Sequence, residues 1–171
     1  KYGIIENSKK LNHQTVASMN WHIIANYLRS IRKNLIAIDL GSTTTDIILI
    51  RNHKCINKRV DDLSGLISSE LLYTGILRTP IFSIIKRIRI SNKYYHLIPE
   101  YYATMADVYR LLDIITLKED YSDTADGRSK SKSDSLARVS RSLGFDYKPK
   151  NKKLIISICE KIMSEHLDQI S

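Results

Sequence analysis

Asp39-Leu40-Gly41-Ser42-Thr43-Thr44-Thr45-Asp46 sets four consecutive hydroxyl side chains after a glycine, with a carboxylate near each end. The chemistry open to such a segment is oxyanion capture. Gly41 lets the backbone approach a ligand without a Cβ, and amide and hydroxyl donors of Ser42, Thr43, Thr44 and Thr45 can face phosphate oxygens. Asp39 and Asp46 then face a divalent cation, directly or through water. Magnesium suits that role, since it prefers hard oxygen ligands and keeps several waters beside one or two carboxylates and the substrate phosphates. A plain β-hairpin turn would also favour Asp, Gly and Ser, but does not call for three threonines in a row before a second aspartate.

Two strands must flank the turn, and the β-branched runs Leu35 to Asp39 and Asp46 to Arg51 are suited to it. Asn52-His53 reads as a turn and Lys54 to Val60 as a third strand, giving a meander. Upstream, Asn12 to Lys33 reads as a helix capped by Asn12. Val16, Met19, Ile23, Tyr27 and Ile31 form its apolar stripe, widened by Ile24 and Leu28. Trp21 and Asn20 are expected to pack under the sheet. Downstream, Asp61 to Ser69 reads as a short helix, Glu70 to Leu77 and Ile81 to Ile90 as strand-like, and Tyr94 to Tyr101 as irregular or extended. Thr104 caps a helix running to Ile115. A polar stretch from Lys118 to Lys132 precedes a helix from Ser133 to Leu143, ended by Gly144. Asn151 to Ile170 forms an amphipathic helix whose buried face is Leu154, Ile158, Ile162 and Leu167.

The 171 residues are 43% hydrophobic and 26% charged, ordinary globular composition and sufficient for one core. No apolar run approaches the roughly 18 residues that a membrane span requires. Cys55 and Cys159 stand far apart and outside any CxxC arrangement, which argues against a disulfide scaffold or zinc site and for a reducing compartment, the cytoplasm. His13, His22, His53, His96 and His166 are scattered, without ligand spacing. The net charge of +9 raises the question of nucleic acid. Its densest runs, Lys148 to Lys153 and Lys86 to Arg89, lack interleaved aromatics, so small anionic substrates are the better use of the field. Lys1 opens the chain without methionine or a signal-like region, and the expectation is a fragment or processed piece.

Strand, Asp-x-Gly-Ser-Thr-Thr-Thr-Asp turn and strand resemble the second phosphate motif of the actin, sugar-kinase and heat-shock-protein superfamily. Four further blocks narrow the resemblance: Val16 to His22, Glu70 to Pro80, Ala103 to Leu111 and Thr124 to Arg128. In that order they resemble the hydantoinase/oxoprolinase family, in its branch tied to tetrahydromethanopterin-linked one-carbon metabolism. The resemblance implies an α/β, actin-like ATPase or ribonuclease H-like fold: a mixed sheet with flanking helices, one lobe plus insertions. It implies a single partial domain over 1–171, with helix and phosphate meander in 12–60, substrate-side segments in 61–150 and a terminal helix in 151–171.

The activity implied is transfer of an aminomethylfuran group from its diphosphate to the phenol oxygen of γ-glutamyltyramine. Diphosphate leaves, with Mg²⁺ held by Asp39 and Asp46. An ATP-dependent hydrolase of the hydantoinase or oxoprolinase type, or an inactive binding or assembly module, is the alternative. Tyr73-Thr74-Gly75 followed by Arg78 offers a substrate contact, with Arg78 either a fork on phosphate or a glutamyl carboxylate, or a buried structural arginine. Asp107 is either an intrahelical partner of Arg110 or an acid or base near the phenol. Asp126-Gly127-Arg128 either offers a carboxylate and a guanidinium to a polar substrate or forms a simple turn. Two superfamily features are absent: an Asp-x-Gly motif before Asp39, and a glycine pair in any one loop, the six glycines being Gly3, Gly41, Gly65, Gly75, Gly127 and Gly144. Ser69 also stands where the resemblance calls for glycine. One wall of a two-lobed site is therefore expected here, the other lying in a separate chain, a second copy or a missing part of the gene product.

Overall fold

A computed structural model of the chain describes residues 20–171. The expected cap at Asn12, the stripe positions Val16 and Met19, His13, and most of the block Val16 to His22 lie outside the described residues. The fold is mixed α/β and divides into two compact units, one holding residues up to Asp39 with Thr45–Leu72, the other Leu40–Thr44 with Tyr73–Ser171. Each has its own core.

In the first unit, helix α1 (Asn20–Ile31) lies with a sheet of β1 (Leu35–Leu40), β2 (Thr45–Arg51), β3 (Lys54–Cys55) and β4 (Leu71–Leu72), and helix α2 (Asp62–Ile67) precedes β4. β2 is central, hydrogen-bonded to β1 and β3, and also antiparallel to β4 with Asp46 opposite Leu71. Trp21, Ala25, Ile48 and Ile50 form the core, with Ile24 and Leu28 against it. The expected α1 stripe is out of phase: Ile23, Tyr27, Ile31 and Asn20 are exposed, and burial follows Trp21 instead. A large indole sets the rotation of a helix more strongly than a run of medium-sized aliphatics, because it removes the most apolar area from water.

The third strand stops at Cys55 rather than Val60. Asn57 is the reason: its side chain accepts from the Leu49 amide at 2.8 Å and donates to the Ile47 carbonyl at 2.7 Å, taking over ladder bonds that a continuing backbone would make. Beyond it the amides of Lys58 and Arg59 donate to the Glu70 carboxylate. Asp61 caps α2, accepting from the Ser64 amide while Ser64 Oγ accepts from Asp61 N. Ser69, after α2, has φ +57°, a left-handed conformation that glycine adopts freely and serine does not.

The second unit holds helices α3 (Ile81–Ile84), α4 (Met105–Leu111), α5 (Lys132–Ser142) and α6 (Lys152–Asp168), and the hairpin β5 (Arg87–Ile90) and β6 (Lys93–His96). Two expectations change here. Glu70 to Leu77 yields only β4, and the run from Ile81 forms a helical turn before the strand. Pro80 starts that turn, and short apolar runs do not by themselves distinguish strand from helix. Ser91 and Asn92, with φ +45° and +63°, close β5 onto β6, so the extended part of the expected irregular or extended stretch is residues 94–96, which pair with β5. The central α4 is buried along its whole length and packs on α5 and α6. The buried face of α6 is Ile155, Ile158, Cys159, Ile162 and His166, so the expected Leu154 is only half-buried and Leu167 is exposed. Gly144 follows α5 at φ +81° as expected. No described helix is long and apolar enough to cross a membrane.

Candidate functional site

Within the second unit, the turn closes through Gly41 N donating to Thr44 O at 2.9 Å. A following segment of chain braces it. Ile76 N donates to Gly41 O at 2.9 Å, while Leu77 N and Arg78 N both donate to Ser42 O, at 3.2 and 2.9 Å. The brace depends on Gly75, where an added Cβ would lie 2.6 Å from Gly41 O, Ser42 C and Thr43 N. Thr79 Oγ1 fixes Gly75 by accepting its amide at 2.7 Å. The carbonyls of Gly41 and Ser42 are thus occupied, while the amides of Ser42, Thr43 and Thr44 have no backbone acceptor among the described residues. Donors without acceptors, on half-buried residues that also carry hydroxyls, form a concentration of positive dipole suited to an anion.

Of the other residues on this stretch, Tyr73 and Arg78 are exposed, and Thr74 and Gly75 are buried. A structural role in burial is therefore excluded for Arg78. Its guanidinium makes no ion pair among the described residues, while its backbone is tied to Ser42.

In the first unit, Asp39 and Asp46 are both partly exposed, but Thr45 is fully buried, which removes its hydroxyl from contact with a ligand in this conformation. Asp46 is paired with buried Arg59, which also reaches Asp62 at 2.9 Å and lies over the Trp21 ring. Burial pushes the Asp46 carboxyl above its ordinary value; Arg59 opposes this, and the charges of Asp39 and Asp62 add to it. Arg59 is a site-shaping residue that sequence reasoning missed. Its signal was the spacing to Asp62, three residues on, rather than anything near Asp46 in sequence. No cluster of three or more His, Cys, Asp or Glu able to hold a metal occurs among the described residues.

Asp107, Asp126 and Arg128 resolve into different roles. Asp107 is 2% exposed; its Oδ1 accepts from Arg110 Nη1 at 2.9 Å and from Arg138 Nε and Nη2 at 2.9 and 2.7 Å, and its Oδ2 from Thr104 N at 3.2 Å. The carboxylate is saturated by buried donors: it makes the expected intrahelical pair with Arg110 and, through Arg138, anchors α4 to α5. Arg110 extends the network to buried Asp120, and Arg138 extends it to Asp126 at 3.0 Å. Asp126 also accepts from the Arg128 amide at 3.2 Å, closing its loop, and the Arg128 side chain remains exposed with only a loose 3.9 Å approach to Asp126. Arg138 and Asp120 lay outside the expected site set; nothing in local spacing ties them to Asp107.

Residues 12–171 match the family described as Hydantoinase/oxoprolinase. Two curated relatives carry the printed name (4-{4-[2-(gamma-L-glutamylamino)ethyl]phenoxymethyl}furan-2-yl)methanamine synthase. One, from Methanocaldococcus jannaschii, is 35% identical over 167 residues, 96% of this chain and 50% of the relative. The other, from Methanococcus vannielii, is 42% identical over 119 residues, 69% of this chain and 53% of the relative. The chain spans about half the length of the curated relatives it matches. With its braced, hydroxyl-rich turn inside a match over residues 12–171, the chain belongs to the hydantoinase/oxoprolinase family.

Proposed function

We propose that this chain supplies the phosphate-turn wall of a transferase that joins an aminomethylfuran diphosphate to the phenol oxygen of γ-glutamyltyramine. The carrying observation is the braced turn, whose amides at Ser42, Thr43 and Thr44 lack backbone acceptors. The relatives' printed name, which describes a phenoxymethyl-furan methanamine, supports the substrate pair. In the reaction the C–O bond to diphosphate breaks, the furan ring oxygen stabilises the methylene cation, and the phenol oxygen attacks it while its proton passes to solvent. Negative charge builds up on the departing diphosphate. The turn amides, the hydroxyls of Ser42, Thr43 and Thr44, and the guanidinium of Arg78 oppose that charge where it develops.

Asp39 and Asp46 fit a hydrated magnesium ion rather than a dry, all-protein metal site. They are two carboxylates without a third ligand among the described residues, and one carries an arginine on one oxygen. When bound, Mg²⁺ would supply charge to the leaving group. The fold belongs with the actin-like, ribonuclease H-like architecture, in keeping with the family match and the mixed α/β arrangement. The relatives' doubled length supports a second wall contributed by residues that this chain does not contain, and the two free cysteines, Cys55 and Cys159, fit a reducing cytoplasm. One-carbon metabolism is the setting this activity implies.

The test is an assay of the protein in its native, full-length form with the furan diphosphate and γ-glutamyltyramine. The expected result is coupled product and diphosphate at one to one. ATP cleavage without ether product would instead establish the hydrolase alternative. Asp39→Asn should remove magnesium-dependent turnover, and Arg78→Ala should weaken diphosphate binding at least tenfold with an unchanged melting temperature.

A further inference from the structure

Beside the phosphate turn, and wholly within the second unit, lies a cavity of about 330 Å³. Ile76, Leu77 and Ile115 supply its apolar wall, and its edge includes Gly41 and Ser42 of the turn itself. Besides Ser42, two side chains bring polar groups to the lining: Glu119 and Tyr121. Neither is part of the phosphate machinery, and neither is needed to fill the core, since both are exposed.

Glu119 is positioned rather than loose. Its Oε2 accepts from the Thr116 amide at 2.7 Å, and its own amide donates to Thr116 O at 3.2 Å, so the carboxylate is folded back over one turn of chain. The Thr116 amide also holds this carboxyl below its ordinary range, keeping it charged. The next residue, Asp120, is 3% exposed and locked to Arg110 and Lys130. The buried network around Asp107 therefore pins the loop that carries Glu119 and Tyr121.

A site with an apolar body, an oxyanion cradle at one edge and a fixed carboxylate beside an aromatic ring is complementary to a particular kind of ligand. That ligand has a flat apolar ring, an anionic group at one end and an ammonium at the other. We propose that this cavity is the ring subsite for an aryl or heteroaryl methylamine, with Glu119 pairing the ammonium and Tyr121 offering its π face to it. The proposal rests on the transferase reading for the identity of the ring, an aminomethylfuran, and adds the selection of its amine. Specificity arises because only a ligand that carries the amine gains the charge-assisted pairing with Glu119.

The experiment has two arms on the native, full-length protein. In the first, furan-2-ylmethanamine and furan-2-ylmethanol are titrated by NMR against the unaltered protein, Glu119→Gln and Glu119→Asp. The amine should bind more tightly than the alcohol, that preference should fall at least tenfold in Glu119→Gln, and Glu119→Asp should restore part of it, all at unchanged melting temperature. Equal affinities for amine and alcohol, or a preference untouched by Glu119→Gln, overturn the subsite. In the second arm, KM for the furan diphosphate should rise in Glu119→Gln with KM for γ-glutamyltyramine unchanged; a rise in both would overturn the assignment. The first arm needs no turnover, so an absent transferase activity with an intact Glu119-dependent amine preference overturns the proposed function alone.

Discussion

The α-carbon of Gly75 sits so close to the carbonyl of Gly41 that a methyl group on it would lie 2.6 Å from that oxygen. All three atoms crowded by such a methyl are backbone, so no side chain can swing away to make room. Gly75→Ala should therefore part the brace from the turn, at a stability cost of about 2 kcal/mol from overpacking. Diphosphate affinity should fall at least tenfold alongside it. A variant that melts lower but binds diphosphate normally would show that the brace does not shape the anion site.

Asp107→Asn separates anchoring from chemistry. Its carboxylate neutralises two buried guanidiniums, Arg110 and Arg138, and removing that charge should destabilise the protein by about 3 kcal/mol or more. The check is the urea midpoint, together with kcat on the folded fraction. A midpoint near that of the unaltered protein with kcat lost would place Asp107 in the catalytic set.

Ser69→Gly should stabilise. Serine holds φ +57° at this position, and relief of left-handed strain is worth about 1 kcal/mol, less the greater unfolded-state entropy of glycine. The melting temperature should rise by a few degrees by the usual conversion. A fall would mean that the Ser69 side chain stabilises the turn in a way the backbone angle does not express.

His166 supplies a pH dependence. It is fully buried on α6, its Nδ1 2.7 Å from the Tyr109 hydroxyl, and burial lowers its affinity for a proton. The unfolded chain takes up that proton near pH 6.5, by the ordinary value for histidine. Its contribution to stability is thus complete above that pH and is lost as pH falls through the lowered folded value. Denaturant midpoints compared between pH 7.5 and 5 should decline more steeply for the unaltered protein than for His166→Phe. Parallel declines would assign the acid sensitivity to other groups, His22 among them, whose proton affinity is also lowered by burial and by Arg59.

Local grammar was the legible part of this chain. Asp61 and Thr104 announce their helices, Gly144 follows the end of another, and Asn52-His53 turns the meander, because each of these acts on residues within one turn of itself. What sequence periodicity misplaced was rotation and extent. Trp21 outweighed Ile23 and Tyr27 on α1, His166 took a core position on α6, and a single side chain, Asn57, ended β3. Those outcomes depend on what lies across the core, not on neighbours in sequence. The site divides the same way. The turn itself could be read from Gly41 and the hydroxyls after it, whereas the Gly75 brace, the Arg59 clamp on Asp46 and the Arg138 link to Asp107 join residues 13 to 34 positions apart that carry no shared spacing.

Because Leu77 N and Arg78 N share one acceptor on the turn, the backbone that carries the Arg78 guanidinium and the backbone that carries the free amides move as one body. The point from which the Arg78 side chain leaves the backbone is settled while the protein folds. Under the proposed function, diphosphate binding would then cost the rotamer entropy of one exposed side chain and little from the backbone on either side.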